Sequence, residues 1–186
     1  LVRAGLQLAL QVAAGQIPRP DVVYVSLGSG GTAVGLAAGL ALGGLVVPVR
    51  AVLAVEPLFA TPSRLRGLQR ALARELVHIG KGLSLAAPCP IVRDAAQVGQ
   101  GYGWATPASL RAMQLAELHG FPAEAVYTGK VLAALLAPAA QTLQRRDQTA
   151  LFWDTVRRLG PLPSAADWQQ RLPGWLQSRL ASEDAK

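Results

Sequence analysis

The stretch Val22–Leu40, VVYVSLGSGGTAVGLAAGL, decides the fold. Its first six residues, Val22 to Leu27, are an apolar run rich in valine, which predicts a parallel strand buried on both faces. A cluster of glycine and serine follows, and Thr32–Leu42 then has the small, apolar composition of a closely packed helix. A strand, a glycine loop and a helix in this order predict an α/β protein with a candidate site at the loop.

Neighbouring segments extend this pattern. Residues 2–15 predict a first helix, and Val46–Val55 predicts a second buried strand. A basic helix is expected over Thr61–Leu76, with Thr61 or Ser63 as its N-cap. The alternation of strands and helices predicts a parallel sheet flanked by helices, joined by right-handed crossovers.

The second half of the chain is less regular. We interpret Pro88–Gly103 as a loop because it is rich in glycine and has no periodicity. The remaining predictions are a helix over Pro107–Leu118 opened by Thr106, a helix over Val131–Leu143, a strand over Gln148–Thr155 and short helices after Arg157. The chain is therefore divided into a large domain of residues 1–156 and a helical tail of residues 157–186.

Composition excludes several classes of function. The 186 residues are 51% hydrophobic and carry a net charge of +7, which suits a globular protein with one sizeable core. Arg66, Arg70 and Arg74 could share one helix face, but no nucleic-acid-binding motif accompanies them, so no nucleic acid is expected as a partner. The single cysteine indicates a reducing, cytoplasmic setting, and the two distant histidines predict no metal site.

A membrane helix is the main alternative for the opening stretch. No charged residue occurs from Val22 to Val49, and glycines recur at every fourth position, as in associating transmembrane helices. However, the glycine loop would interrupt such a helix, and Pro48 would end it early. We therefore predict no membrane span, and we expect the spaced glycines to let the helix lie close against the sheet.

The glycine loop predicts an anion site. Backbone N–H groups at a helix N-terminus converge on negative charge, and Gly28, Gly30 and Gly31 leave room for close approach. Hydroxyl groups of Ser29 and Thr32 can add donors. A plain strand-to-helix turn remains the alternative without chemistry.

Other glycine motifs fit less well. No lysine follows the loop, as a P-loop would require, and Leu27 stands where a nucleophile elbow needs glycine. The dinucleotide fingerprint stays open, because Gly28, Gly30 and Ala33 match it and Glu56 ends the next predicted strand. Glu56 lies 56 − 28 = 28 positions after Gly28, however, whereas about 20 is usual.

Three motifs together resemble one enzyme family. They are GSGGTAVGLAAGL from Gly28, Gly101-Tyr102-Gly103, and AVYTGKVLAAL from Ala125 to Leu135. In this order they resemble the pyridoxal-phosphate enzymes of the D-cysteine desulfhydrase and 1-aminocyclopropane-1-carboxylate deaminase family. The resemblance covers roughly residues 20–155 and implies a fold of the tryptophan synthase β type.

The resemblance also implies roles for individual residues. The loop Gly28 to Thr32 would bind the phosphate of the cofactor, pyridoxal 5'-phosphate, and Tyr127 would be catalytic in proton transfer or orientation. Thr128 stands where the deaminases carry glutamate and the desulfhydrases threonine. Thr155 would lie near the pyridine nitrogen, although the two residues after it replace the family's glycines.

By this resemblance the activity is β-elimination from a small amino acid such as D-cysteine, giving pyruvate, ammonia and sulfide, in an enzyme that is a homo-oligomer when full length. The family's Schiff-base lysine lies in an Asn-Lys motif upstream, which Lys81, Lys130 and Lys186 all lack. We therefore expect an incomplete large domain that is inactive alone. The alternatives are a non-catalytic remnant that binds phosphate ligands or a partner, and a fragment of a dinucleotide-binding oxidoreductase.

Overall fold

A computed structural model of the chain describes residues 1–80, 87–139, 148–155 and 167–183. The chain divides into two compact units, Leu1–Val156 and Arg157–Lys186. The helices of the first unit are Val2–Ala13 (α1), Gly31–Leu42 (α2), Pro62–Ile79 (α3), Pro107–Leu118 (α4) and Thr128–Ala139 (α5). Its strands are Val22–Leu27 (β1), Val49–Leu53 (β2), Ile91–Asp94 (β3) and Ala150–Phe152 (β4), and a 3-10 turn covers Pro57–Ala60.

The second unit contains a 3-10 turn over Trp168–Arg171 and a helix, α6, over Gly174–Glu183. These are the short helical segments expected after Arg157. Residues 156–166 and 184–186 lie outside the described part of the chain. The assignment of residues 1–156 to a cofactor-binding domain and of 157–186 to a helical tail stays a prediction.

The four strands form one parallel sheet in the order β3-β2-β1-β4. Alternate residues of the central strands face opposite sides: Val23 and Val25 join the core with α1, α2 and α3, whereas Tyr24 and Val52 pack with Val131 of α5. Helices therefore cover both faces, as the sequence predicted. Because all strands are parallel, their carboxyl ends lie at one edge, where the glycine loop begins.

Several element bounds are confirmed, and the prediction of a loop over the whole of Pro88–Gly103 is wrong. β1 and α4 begin and end at the predicted residues, and the side chain of Thr61 caps α3 by accepting a hydrogen bond from the Arg64 N–H group. The segment Pro88–Gly103, interpreted as loop, contains strand β3. A four-residue strand between prolines is too short for its period to show in the sequence.

The helix predicted over Val131–Leu143 begins three residues earlier, at Thr128, and its predicted end lies outside the described residues. The last strand is shorter than the predicted Gln148–Thr155, because only Ala150–Phe152 pair with β1. Residues 46–48 likewise precede β2 instead of forming part of it.

Helix α2 lies at the centre of the first unit, and all eight residues from Ala33 to Leu40 are buried. The spaced glycines Gly35, Gly39 and Gly43 face α1 and not the sheet, so the prediction that they pack against the sheet is wrong. A Cβ atom at Gly39 would overlap the carbonyl oxygen of Val2, and one at Gly5 would lie 2.6 Å from the carbonyl oxygen of Leu36. The missing side chains therefore allow two helices to touch through their backbones.

Cys89 also contacts α2 and the loop that follows it, through two hydrogen bonds. Its backbone N–H group donates to the carbonyl oxygen of Ala37, and its thiol donates to the carbonyl oxygen of Leu45 over 3.3 Å. Only 1% of the residue is exposed, and burial raises the pKa of the thiol. The cysteine is thus a buried structural contact.

In the described part of the chain, no helix is long and apolar enough to cross a membrane. The stretch Val22–Val49 is divided between a strand and a helix with a tight turn between them.

The contact between α1 and α2 predicts opposite effects for two glycine substitutions. Gly39→Ala should lower the free energy of unfolding by about 1–3 kcal/mol, because the new methyl group meets backbone atoms that cannot move aside. Gly67→Ala in α3 is the matched control, since nothing lies within 4 Å of its Cβ position. It should raise the free energy of unfolding by about 0.5–1 kcal/mol through helix propensity. Urea unfolding followed by circular dichroism measures both, and equal effects would contradict the proposed contact.

Candidate functional site

The glycine loop has two kinds of glycine. Gly30 has a φ of 96°, and a Cβ atom there would lie 2.7 Å from Leu65, so this glycine serves the turn and its packing on α3. Gly31 is open, because only the hydroxyl of Ser29 lies within 4 Å of its Cβ position. Gly28 has ordinary contact with Tyr127, at 3.6 Å. Space is therefore left beside Gly28 and Gly31.

Helix α2 begins at this loop without a side-chain cap. Ser29 and Gly31 are exposed and Thr32 is half-buried, and no hydrogen bond within the described residues engages the N–H groups of Gly31 and Thr32. Unpaired N–H groups at a helix N-terminus bind anions through hydrogen bonds and the helix dipole. The geometry therefore suits a phosphate group.

Tyr127 lies beside this loop and pairs with Tyr102. The two rings meet edge to face, with centroids 6.1 Å apart. The neighbouring phenol of Tyr102, burial and the charge of Glu124 raise the pKa of Tyr127 to about 12. The phenol therefore stays protonated at neutral pH and can donate a hydrogen bond or a proton next to Gly28.

Glu124 caps the helix that follows Tyr127. Its carboxylate accepts hydrogen bonds from the backbone N–H groups of Val126, Tyr127 and Thr128 over 2.6–2.8 Å. The hydroxyl of Thr128 also donates to Glu124, and only 1% of Thr128 is exposed. The structure thus places Thr128 behind Tyr127, with its hydroxyl engaged within the chain, and its role toward the cofactor stays a prediction.

Lys130 fixes the loop that carries Tyr102. Its ammonium group is completely buried and donates to the carbonyl oxygens of Val98 over 2.9 Å and Gly101 over 3.3 Å. Burial lowers the pKa of Lys130, while the carboxylates of Glu124 and Glu56 oppose the shift. Sequence reasoning missed this contact, since the partners lie 29 and 32 residues away.

Glu56 holds the same loop from the other side. Its Oε1 accepts the N–H group of Tyr102 over 3.3 Å, and a Cβ atom at Gly101 would lie 2.5 Å from this oxygen. Gly101 also has a φ of 126°, which favours glycine. The residue considered as a ribose ligand is therefore bonded to the Gly101-Tyr102-Gly103 loop.

Thr155 lies beyond the end of β4, and its hydroxyl is 3.4 Å from the hydroxyl of Ser26 on β1. The structure thus brings the glycine loop and Tyr127 together, and within the described residues it shows no hydrogen bond from Thr155 to either of them. No group of three or more potential metal ligands occurs in residues 1–80, 87–139, 148–155 and 167–183.

Comparisons with known proteins bear on the family and the fold of the chain. The family model described as "Pyridoxal-phosphate dependent enzyme" matches residues 2–153. A search of curated proteins gave no match. A solved structure titled "Crystal Structure Analysis of the ACC deaminase homologue" is similar in fold, with a TM-score of 0.61 and 20% sequence identity. The match covers 81% of this chain and 44% of that chain, so the present chain spans less than half of that protein's length.

The contact between the two tyrosines predicts a change in titration. Tyr102→Phe should lower the pKa of Tyr127 from about 12 toward its ordinary value of 10.0, because the largest cause of the shift is removed. Since the folded pKa is the raised one, this phenol contributes stability below pH 10 that is lost as the pH rises toward 12. The absorbance of tyrosinate measures the change in a chain with only three tyrosines. Tyr24→Phe is the control. If Tyr102→Phe still shows a tyrosine that titrates near pH 12, Tyr102 is not the cause of the raised pKa of Tyr127.

Proposed function

The chain belongs to the pyridoxal-phosphate dependent enzymes, and on this basis we propose that it is the phosphate-binding part of a lyase or deaminase that acts on a small amino acid. The observation that carries the proposal is the unpaired N-terminus of α2 beside the phenol of Tyr127. Together they offer a place for an anion next to a group that can hold or move a proton.

The residues present fit the phosphate of pyridoxal 5'-phosphate. Gly28 and Gly31 leave space, Ser29 and Thr32 add hydroxyl groups, and the helix dipole favours a dianion. When bound, this cofactor supplies an electron sink for negative charge that develops on the α-carbon of an amino acid. The residues of the glycine loop would bind the phosphate, and the tyrosine pair lies beside Gly28, next to that position.

Tyr127 is the proposed catalytic residue. Its pKa of about 12 keeps the phenol protonated, so it acts as a hydrogen-bond donor or as a general acid toward a leaving group. Glu56 and Lys130 are positioning residues, because they hold the loop from which Tyr102 meets Tyr127.

The proposed reaction is β-elimination of the D-cysteine desulfhydrase type. D-Cysteine and water would give pyruvate, ammonia and hydrogen sulfide, with no external oxidant or reductant. Thr128 supports this choice over opening of a cyclopropane ring, because the related deaminases carry glutamate at that position. Here Glu124 already occupies the neighbouring space as the helix cap.

We further propose that the Schiff-base lysine comes from a part of the protein outside this chain. Lys130 is the one lysine among the described residues, and its ammonium group is buried against two carbonyl oxygens. The same observation favours the second candidate, a non-catalytic remnant that binds phosphate ligands.

Cofactor binding is tested by changing the charge at Gly31. Gly31→Asp adds a carboxylate at the first position of α2, which suits the helix dipole and keeps the fold but repels phosphate. We expect at least about a tenfold loss of affinity for pyridoxal phosphate, measured by absorbance titration with inorganic phosphate as competitor. The neutral isostere Gly31→Asn fills the same space without the charge, so the difference in affinity between the two variants measures the electrostatic part of the loss. Equal affinity in all three proteins would place the phosphate elsewhere.

The reaction is tested in a longer form of the protein that includes the family's Asn-Lys motif. That form should release sulfide and pyruvate from D-cysteine but leave 1-aminocyclopropane-1-carboxylate intact. Tyr127→Phe should lower kcat by about 10²- to 10⁴-fold, whereas the control Tyr24→Phe should not. The present chain, mixed with pyridoxal phosphate and borohydride, should give no reduced adduct on Lys81, Lys130 or Lys186. Ring opening, or such an adduct, would contradict the proposal.

A further inference from the structure

A second cavity lies between α3 and the edge strand β3, apart from the glycine loop. Its volume is about 370 Å³, which is within the range of small-molecule sites. The residues that line it are Pro62, Leu65, Arg66, Gln69, Ile91 and Arg93. Two guanidinium groups and one amide therefore surround a pocket whose remaining wall is apolar, and no acidic side chain lines it.

Arg93 is incompletely paired in this cavity. Ile91 and Arg93 alternate with Val92 along β3 and so face α3 together. One terminal nitrogen of Arg93 donates to the carbonyl oxygen of Pro57 over 3.4 Å, but its Nε is buried with no partner. The Nε atom is shielded from solvent, but the guanidinium group makes only this one hydrogen bond among the described residues, so its other terminal N–H groups can meet a ligand in the cavity that Arg93 lines.

The positive charge at the first turn of α3 has no acidic side chain of that turn to balance it. Its first turn carries no acidic residue, although the positive end of the helix dipole lies there beside Arg64 and Arg66. The nearest carboxylate of β3, on Asp94, is paired with Arg50 at 3.3 Å on the neighbouring strand. The cavity therefore has an excess of positive charge from both of its walls.

We propose that this cavity binds a small organic carboxylate with an apolar body. Arg93 and Arg66 bind the carboxylate, since a guanidinium group matches its two oxygens, and Gln69 donates from the helix. Pro62, Leu65 and Ile91 contact the apolar part. Leu65 also packs under Gly30, so the site shares one side chain with the phosphate loop.

The test is calorimetric titration of the chain with 4-methylpentanoate at constant ionic strength. We expect saturable binding of the carboxylate and none of its neutral amide. Arg93→Gln and Arg66→Gln should each weaken binding by about 10- to 100-fold, as expected for loss of a charge-assisted hydrogen bond. Arg74→Gln, an exposed arginine of α3 outside the cavity, is the matched control and should leave the affinity unchanged.

Further measurements distinguish ligand binding in this cavity from phosphate binding at the glycine loop. Gly31→Asp should leave binding of 4-methylpentanoate unchanged, because it alters only the α2 terminus, so failure here is independent of the cofactor experiment. If Arg93→Gln does not fold, the exposed Arg66→Gln decides the matter. The proposal is overturned by absence of saturable binding, by equal binding of the amide, by equal loss in Arg74→Gln or by loss in Gly31→Asp.

Discussion

The enclosure of α2 is the constraint on which the rest of the structure depends. This helix is buried from Ala33 to Leu40, with α1 against its glycines and the sheet on its other side. Its N-terminus therefore has one possible place, at the carboxyl edge of the parallel strands. The helix carries no charged residue that could tether it, so close packing and the hydrogen bond from Cys89 to Ala37 fix its position.

A partly buried polar network provides the second support. Lys130 and Glu56 hold the loop of Tyr102 from two sides, and Glu124 caps the helix that begins after Tyr127. In a low-dielectric interior, such groups are stabilising only when each has its partners. The two tyrosines meet because three charged side chains are satisfied around them, which links the electrostatics of the loops to the pKa of the phenol.

The sequence predicted the features that depend on neighbouring residues. β1, α4 and the cap at Thr61 follow from local composition, and the glycine loop could be recognised from its place between a strand and a helix. β3 was missed because four residues give no readable period. The partner of the α2 glycines was assigned to the sheet and is α1, since spacing shows which face is small but not what lies against it.

The site was predictable in part for the same reason. Gly28 and Tyr127 belong to motifs, whereas the functions of Glu56 and Lys130 arise only when segments 29 to 46 residues apart meet. A lysine inside a short sequence motif suggests a reactive amine, yet in the folded chain the ammonium group of Lys130 donates hydrogen bonds to two carbonyl oxygens. Tertiary neighbours, which no local pattern encodes, decide between a reactive amine and a structural one.

The environment of Cys89 has a consequence for how the fold opens. Because its thiol is hydrogen-bonded to Leu45 and its backbone to α2, a reagent can reach the buried sulfur only after these contacts open. The reactivity of this single cysteine therefore measures how readily these contacts open. Its alkylation rate would report how often the contacts between Cys89 and the helix that follows the phosphate loop open, and no label has to be introduced.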